Sequence, residues 1–261
     1  MTDGRDGALE SALAALERDA DATVRTAAAA VKAAKALQKA AKLGELRRLD
    51  ALLAAAGAAA TAVSQQVDNT MAGWQFDAAE HLASGEFAHE LIAAARAQGV
   101  AVVEQDGMLY CCPSLVRVLP GELSVRIDKT RETRLRPTVL AAHLKGVQQR
   151  PPRFASEAFL DSLHRAYRRV VEPAHFGRVV KLLELYELLT LLPGQAREYT
   201  KAEFARDVYL LDRSGSLTTR NGAVATLHAS TGTKSPSAVL RTITETGEKR
   251  EYYGIAFRPA D

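Results

Sequence analysis

Residues 100–136 read VAVVEQDGMLYCCPSLVRVLPGELSVRIDKTRETRLR. The stretch decides the fold class, because here the helical spacing of apolar residues stops and a period of two takes over. VAVVE (100–104) and MLYCC (108–112) flank Gln105-Asp106-Gly107. Asp-Gly between two such runs is a hairpin signal, since a type I′ turn needs positive φ at both central positions. LVRVL (115–119) and LSVRI (123–127) flank Pro120-Gly121 as a second pair, and a short strand around 133–136 extends it.

On the N-terminal side the sequence is helical. Leu13, Ala20, Val24, Ala27, Val31, Ala34 and Ala41 recur at spacings of three, four or seven, a coiled-coil-like seam filled largely by alanine. Gly44 ends that helix, and a second follows over 45–72 with Leu46, Leu49, Leu52 and Leu53 on its apolar face. An antiparallel helix pair is the simplest outcome. A further helical stretch over 75–98 is interrupted at Ser84-Gly85-Glu86 and capped at Gly99.

On the C-terminal side helices resume at 137–148, 155–171 and 177–192, punctuated by Pro151-Pro152 and Pro173. The last contains VVKLLELYELLTLL and reads as a core helix, ended by Pro193-Gly194. Thr200-Lys201-Ala202-Glu203 forms a capping box for a helix over 200–212. Strands follow at 223–229, 239–245 and 250–257. Helix, turn, helix, strand, loop, strand is the order of a winged helix. The expected fold is therefore mainly α with small antiparallel β-hairpins (α+β). It comprises an Ala-rich helical stalk (1–74), a winged-helix-like module with a basic hairpin (75–150), and a helical segment with a C-terminal winged-helix-like module (151–261).

Charge is uneven. Residues 1–116 hold 10 Lys/Arg against 15 Asp/Glu, residues 117–178 hold 13 against 6, and residues 179–261 hold 11 against 10. A basic middle on a chain of net charge +3 is a local feature that attracts phosphates. The start, MTDGRDGALE, is acidic with no apolar core, so no signal peptide is expected, and no apolar run reaches the length of a membrane span. Two adjacent cysteines, Cys111 and Cys112, give no disulfide framework, which favours a reducing, cytoplasmic setting.

Three sets of basic residues are candidates for binding. The hairpin LSVRIDKTRETRLR (123–136) crowds Arg126, Lys129, Arg131, Arg134 and Arg136 around one turn, diluted by Asp128 and Glu132. Guanidinium groups match phosphate by charge and by bidentate geometry. Arg150, Arg153, Arg165, Arg168 and Arg169 extend that patch. On the 200–212 helix Lys201 and Arg206 are opposed by Glu203, Asp207 and Asp212. Lys32, Lys35, Lys39 and Lys42, spaced by three and four, form one helix stripe that suits a nucleic-acid backbone or an acidic partner, or is a solvated face. The functional expectation is a non-enzymatic subunit of a larger complex that binds DNA or RNA through the central hairpin. The alternative is an assembly protein using the stalk, through other subunits or self-association, without nucleic acid.

The enzyme signals fail for specific reasons. TGTKS (231–235) lacks the first glycine and the Gly-Lys step of a nucleotide loop. Asp77, Glu80, His81, Glu86, His89 and Glu90 lack the spacings of metal-binding helices and read as a solvated polar face. Cys111-Cys112 reads as half buried, with no Cys-x-x-Cys, and no serine sits in a nucleophile turn. No cofactor, metal or membrane partner is expected.

Overall fold

The computed structural model describes residues 8–150, 154–229 and 239–259. Helices predominate and the strands form antiparallel sheets, an α+β chain. Among the described residues no helix is long and apolar enough to cross a membrane. The chain divides into two compact units. One comprises residues up to Glu90, with Pro120–Leu123 and Arg136–Thr138. The other comprises Leu91–Leu119, Ser124–Leu135 and the chain from Val139 onward.

The first unit is dominated by α1 (Ala8–Leu43) and α2 (Leu46–Gly73), an antiparallel pair joined at Gly44-Glu45. The expected helices are there; most of the seam expected on α1 is displaced by one residue, while on α2 Leu49 and Leu52 lie in the seam as expected and Leu46 and Leu53 are exposed. From Thr23 onward the half-buried positions of α1 are Thr23, Thr26, Ala27, Ala30, Ala33 and Leu37, ending at buried Ala40; of the expected seam, Leu13 and Ala27 are half buried. On α2 they are Leu49, Leu52, Ala56, Ala59, Val63, Gln66 and Thr70. Ala20, Val24, Val31, Ala34 and Ala41, expected in the seam, are exposed. Alanine shows the helical period without fixing its phase, so the larger seam residues of α2 choose the contact line. Two side chains far along the sequence anchor the start of α1. The carboxylate of Glu90 accepts the N–H groups of Leu9 (2.9 Å) and Glu10 (3.4 Å), satisfying donors that a helix start leaves open. Arg136 donates to Glu10 (2.7 Å) and Glu17 (2.6 Å). Helices α3 (Ala78–Ala83) and the start of α4 (Glu86–Ala97) complete the unit, with Asp77 capping α3 through the N–H of Glu80.

The second unit holds two sheets. The first is a sequential meander of β1 (Val103–Gln105), β2 (Met108–Cys111), β3 (Ser114–Leu119), β4 (Ser124–Ile127) and β5 (Thr130–Glu132). Asp106 (φ 53°) and Gly107 (φ 72°) make the left-handed turn that Asp-Gly predicts. The last strand falls at 130–132 rather than at the expected 133–136, because the tight turn at Asp128-Lys129 pairs Ile127 with Thr130. All five strands join in one sheet, where the sequence suggested separate hairpins.

The second sheet follows α5 (Pro137–Gln148) and α6 (Ser156–Val170). It begins with β6 (Val180–Lys181) and then passes through α7 (Leu182–Leu189), the short α8 (Gln195–Glu198) and α9 (Lys201–Ser214). Strands β7 (Val224–Ala229), β8 (Leu240–Ile243) and β9 (Lys249–Arg258) close it: β9 pairs with β6 at Gly254-Ile255, with β7 between Tyr252 and Arg258, and with β8 between Lys249 and Tyr252. The expected helix 177–192 is thus shorter, since Val180 leaves it to pair with Ile255. That pairing requires Gly254: a Cβ there would stand 2.6 Å from Val179 Cγ1 and 2.8 Å from the Val180 carbonyl oxygen. Leu191 and Leu192, read as core, lie beyond the helix and are exposed. The capping box of α9 is present, with Thr200 and Glu203 each bonding the other's backbone N–H. Leu160, Leu163 and Tyr167 of α6, Leu182 and Leu185 of α7, Phe204 and Leu211 of α9, and Ile255 and Phe257 of β9 are fully buried together.

Candidate nucleic-acid interface

The meander's register puts arginines side by side. Arg117 on β3 is paired with Arg126 on β4, which is paired in turn with Arg131 on β5. Directly opposed residues share a face with Cβ atoms about 5 Å apart, and like charges so placed are destabilising. The Arg117–Arg126 pair is therefore a structural cost unless an anion offsets it. Arg117 and Arg126 are half buried, and their side chains form no hydrogen bond or ion pair with any described residue. Their neighbours Val116, Val125 and Ile127 point the other way into the core.

A small cleft opens on the arginine face. Met108 and Leu115 line it, together with Arg117, Arg126 and, from α8, the exposed Arg197. Two acids also line it, and both are engaged elsewhere. Asp128 accepts from Arg206 (2.5 Å) and from the N–H of Leu115 (3.1 Å). Glu203 accepts from the N–H and hydroxyl of Thr200 in the capping box (2.7 and 2.8 Å). Arg117, Arg126 and Arg197 thus line the cleft together, a concentration of positive charge suited to phosphate oxygens at its mouth.

Helix α9 plays a different part from the one its sequence suggested. Its Ala202 packs against Met108, Tyr110, Leu115 and Ile243. Arg206 bridges Asp128 of the β4–β5 turn and its own neighbour Asp207 (2.8 Å). Burial works against the Arg206 charge, but Asp207 and Asp128 outweigh it and hold the pKa above its ordinary value. Burial pushes the Asp207 carboxyl up, against the pull of Arg206 and the Tyr199 hydroxyl. Thus the hairpin and the helix meet through an ion pair, and Arg206 is committed to it. Phe204, Ala205, Val208, Tyr209, Leu210 and Leu211 are buried, leaving Lys201 exposed at the helix start.

The remaining predicted residues scatter. Lys129 is exposed at the β4–β5 turn, and Arg131 is exposed on β5. Arg134 forms a two-pronged pair with Glu132 (3.0 and 2.5 Å), whose carboxyl it holds down at about 2. Arg136 belongs to the first unit and is taken by Glu10 and Glu17. Arg165, Arg168 and Arg169 are exposed on α6, Arg165 bonding Ser162. Arg150 is exposed after α5, and Arg153 lies outside the described residues. Lys32, Lys35, Lys39 and Lys42 are all exposed on α1. The sequence reading missed Arg117 and Arg197. The first was within reach: a hairpin closing at Pro120–Leu123 and pairing Leu119 with Ser124 also pairs Arg117 with Arg126.

The enzyme-like clusters resolve into structure. His81 and Glu90 are buried, not solvated as their helical spacing suggested. His81 sits between Glu86 (3.2 Å) and Glu90 (3.2 Å), while Glu90 holds the start of α1. No group of three or more metal-ligating side chains is assembled among the described residues. Cys111 and Cys112 are fully rather than half buried, and burial pushes their thiols up to about 12 and about 11. The TGTKS segment falls outside the described residues.

No family model, no curated protein and no solved structure matches this chain.

Proposed function

We propose that this chain is a non-enzymatic nucleic-acid-binding subunit that grips phosphates on the arginine face of its meander. Arg117 and Arg126 form the centre of that contact, Arg197 lies across the cleft, and Lys129 and Arg131 continue it towards the turn. The observation that carries the reading is the direct opposition of Arg117 and Arg126, two half-buried arginines without a partner among the described residues. Bound phosphate would offset their repulsion with charge-assisted hydrogen bonds.

The second unit's C-terminal part favours a winged-helix-like module: α6, β6, α7, α9 and the β7–β9 hairpin follow that order, and the first strand pairs with the last. In such modules the helix corresponding to α9 can enter a major groove. Here its outer residues Ala202 and Arg206 lie against the meander. The contact therefore runs through backbone phosphates and carries little base readout.

The test is a duplex-DNA binding titration at two salt concentrations, with RNA duplex and single strands as further arms. Wild type should bind at low salt and weaken steeply as salt rises. Arg117→Glu/Arg126→Glu should weaken binding by about tenfold or more, because each charged hydrogen bond contributes roughly 1.5–3 kcal/mol. Absence of binding to every probe at low salt, or unchanged affinity in the folded double variant, would overturn the proposal.

A further inference from the structure

The hairpin of the first unit leaves its larger apolar side chains in water. Val24 is 68 % exposed, Val31 54 %, Leu46 77 %, Leu53 56 % and Met71 71 %. They are not scattered. Val24 and Val31 each follow a seam residue of α1 (Thr23, Ala30), while Leu53, Val67 and Met71 each follow one of α2 (Leu52, Gln66, Thr70). One residue is a 100° turn of the helix. Because α1 and α2 run in opposite directions, the same turn on each brings both stripes to the same side of the hairpin. Between the larger residues lie the exposed Ala34, Gly57 and Ala60, and a Cβ on Gly57 would meet nothing within 4 Å. The result is one continuous face with the three- and four-residue spacing of a helix bundle and, among the described residues, no third or fourth helix over it.

We propose that a second copy of this chain covers that face, antiparallel to the first, so that two hairpins close a four-helix bundle. Charge selects the occupant and its direction. Residues 26–43 of α1 carry Lys32, Lys35, Lys39 and Lys42 and no acid, and α2 begins with Arg47 and Arg48. The other end of the hairpin is net acidic: Glu17, Asp19 and Asp21 on α1 and Asp68 on α2 outnumber Arg18 and Arg25. A parallel copy stacks like on like. An antiparallel copy about a two-fold axis near Val31 brings Lys42 of each chain level with Asp21 of the other, since they lie almost equal steps from the axis. Such an isologous contact closes on itself. A face of two helices about 40 Å long and two helix widths across buries about 1,600 Å² in total, the size of a stable interface.

The test is the mass of the full chain in solution by light scattering across a concentration series. The wild type should run at twice the 28.1 kDa chain mass, and Val31→Asp/Leu53→Asp should run at 28.1 kDa with unchanged helical content. Zero-length crosslinking of mixed isotope-labelled wild-type chains gives an answer even if that variant fails to fold. It should join Lys42 of one copy to Asp21 of another. A wild-type monomer at every concentration overturns the proposal and leaves the face to a different protein. A dimer that survives the double substitution, or crosslinks that join Lys42 to Lys42-proximal acids only, also overturns it.

Discussion

The two units achieve stability by opposite means. The second buries Tyr167, Phe204 and Phe257 completely, with leucines from three helices around them. The hairpin of the first buries only Leu9 and Ala40 on α1 and nothing on α2. Alanine is the best helix former but buries little area, so the hairpin is held by propensity and by its anchors at Glu90 and Arg136. A chain that can build an aromatic core, yet leaves Val24, Val31 and Met71 in water, places its unmet apolar surface where a partner would cover it.

The contrast can be broken most severely in the second unit. Phe204→Ala empties a fully buried site and should cost about 3–5 kcal/mol, seen as a large fall in Tm, whereas Leu37→Ala in the half-buried hairpin seam should cost far less. Equal losses at both sites would remove the distinction.

The next effect separates the ion-paired arginine from those proposed to bind phosphate. Arg206→Ala strands Asp207 and Asp128 beside the core and should lower stability by about 2–4 kcal/mol in denaturant melts. Arg117→Ala and Arg126→Ala should leave stability unchanged or raise it slightly, because each relieves a like-charge pair. A marked loss of stability in either would mean that these residues have a structural partner after all.

The smallest effect concerns reactivity. With both thiols raised, to about 12 and about 11, about one in a thousand or fewer is ionised at pH 8. Native protein should resist a thiol reagent at that pH, and denatured protein should react at both cysteines. Rapid labelling of the native chain would contradict the burial of β2.

Much of this fold is legible in the sequence where a local device fixes it. Gly44, the Asp106-Gly107 turn and the Thr200/Glu203 box all act within a few residues and sit where their chemistry demands. What was not legible depends on distance. The phase of the α1–α2 seam is hidden because most candidate positions are alanine. The burial of His81 and Glu90 is hidden because Glu90 bonds a backbone amide 81 residues away. The commitment of Arg206 is hidden because its partner Asp128 lies on another element. In the proposed binding site, the charge of the hairpin was visible, but its crowding around the turn drew attention to Arg134 and Arg136, which are ion-paired. The unpaired charge sits one strand earlier, at Arg117, and register rather than composition reveals it.

The salt dependence of duplex-DNA affinity tests the arginine face most directly. Wild type and Arg117→Ala/Arg126→Ala should differ in the slope of log affinity against log salt by about two, one for each lost phosphate contact, at unchanged Tm. Identical slopes and affinities for the two proteins would contradict the account.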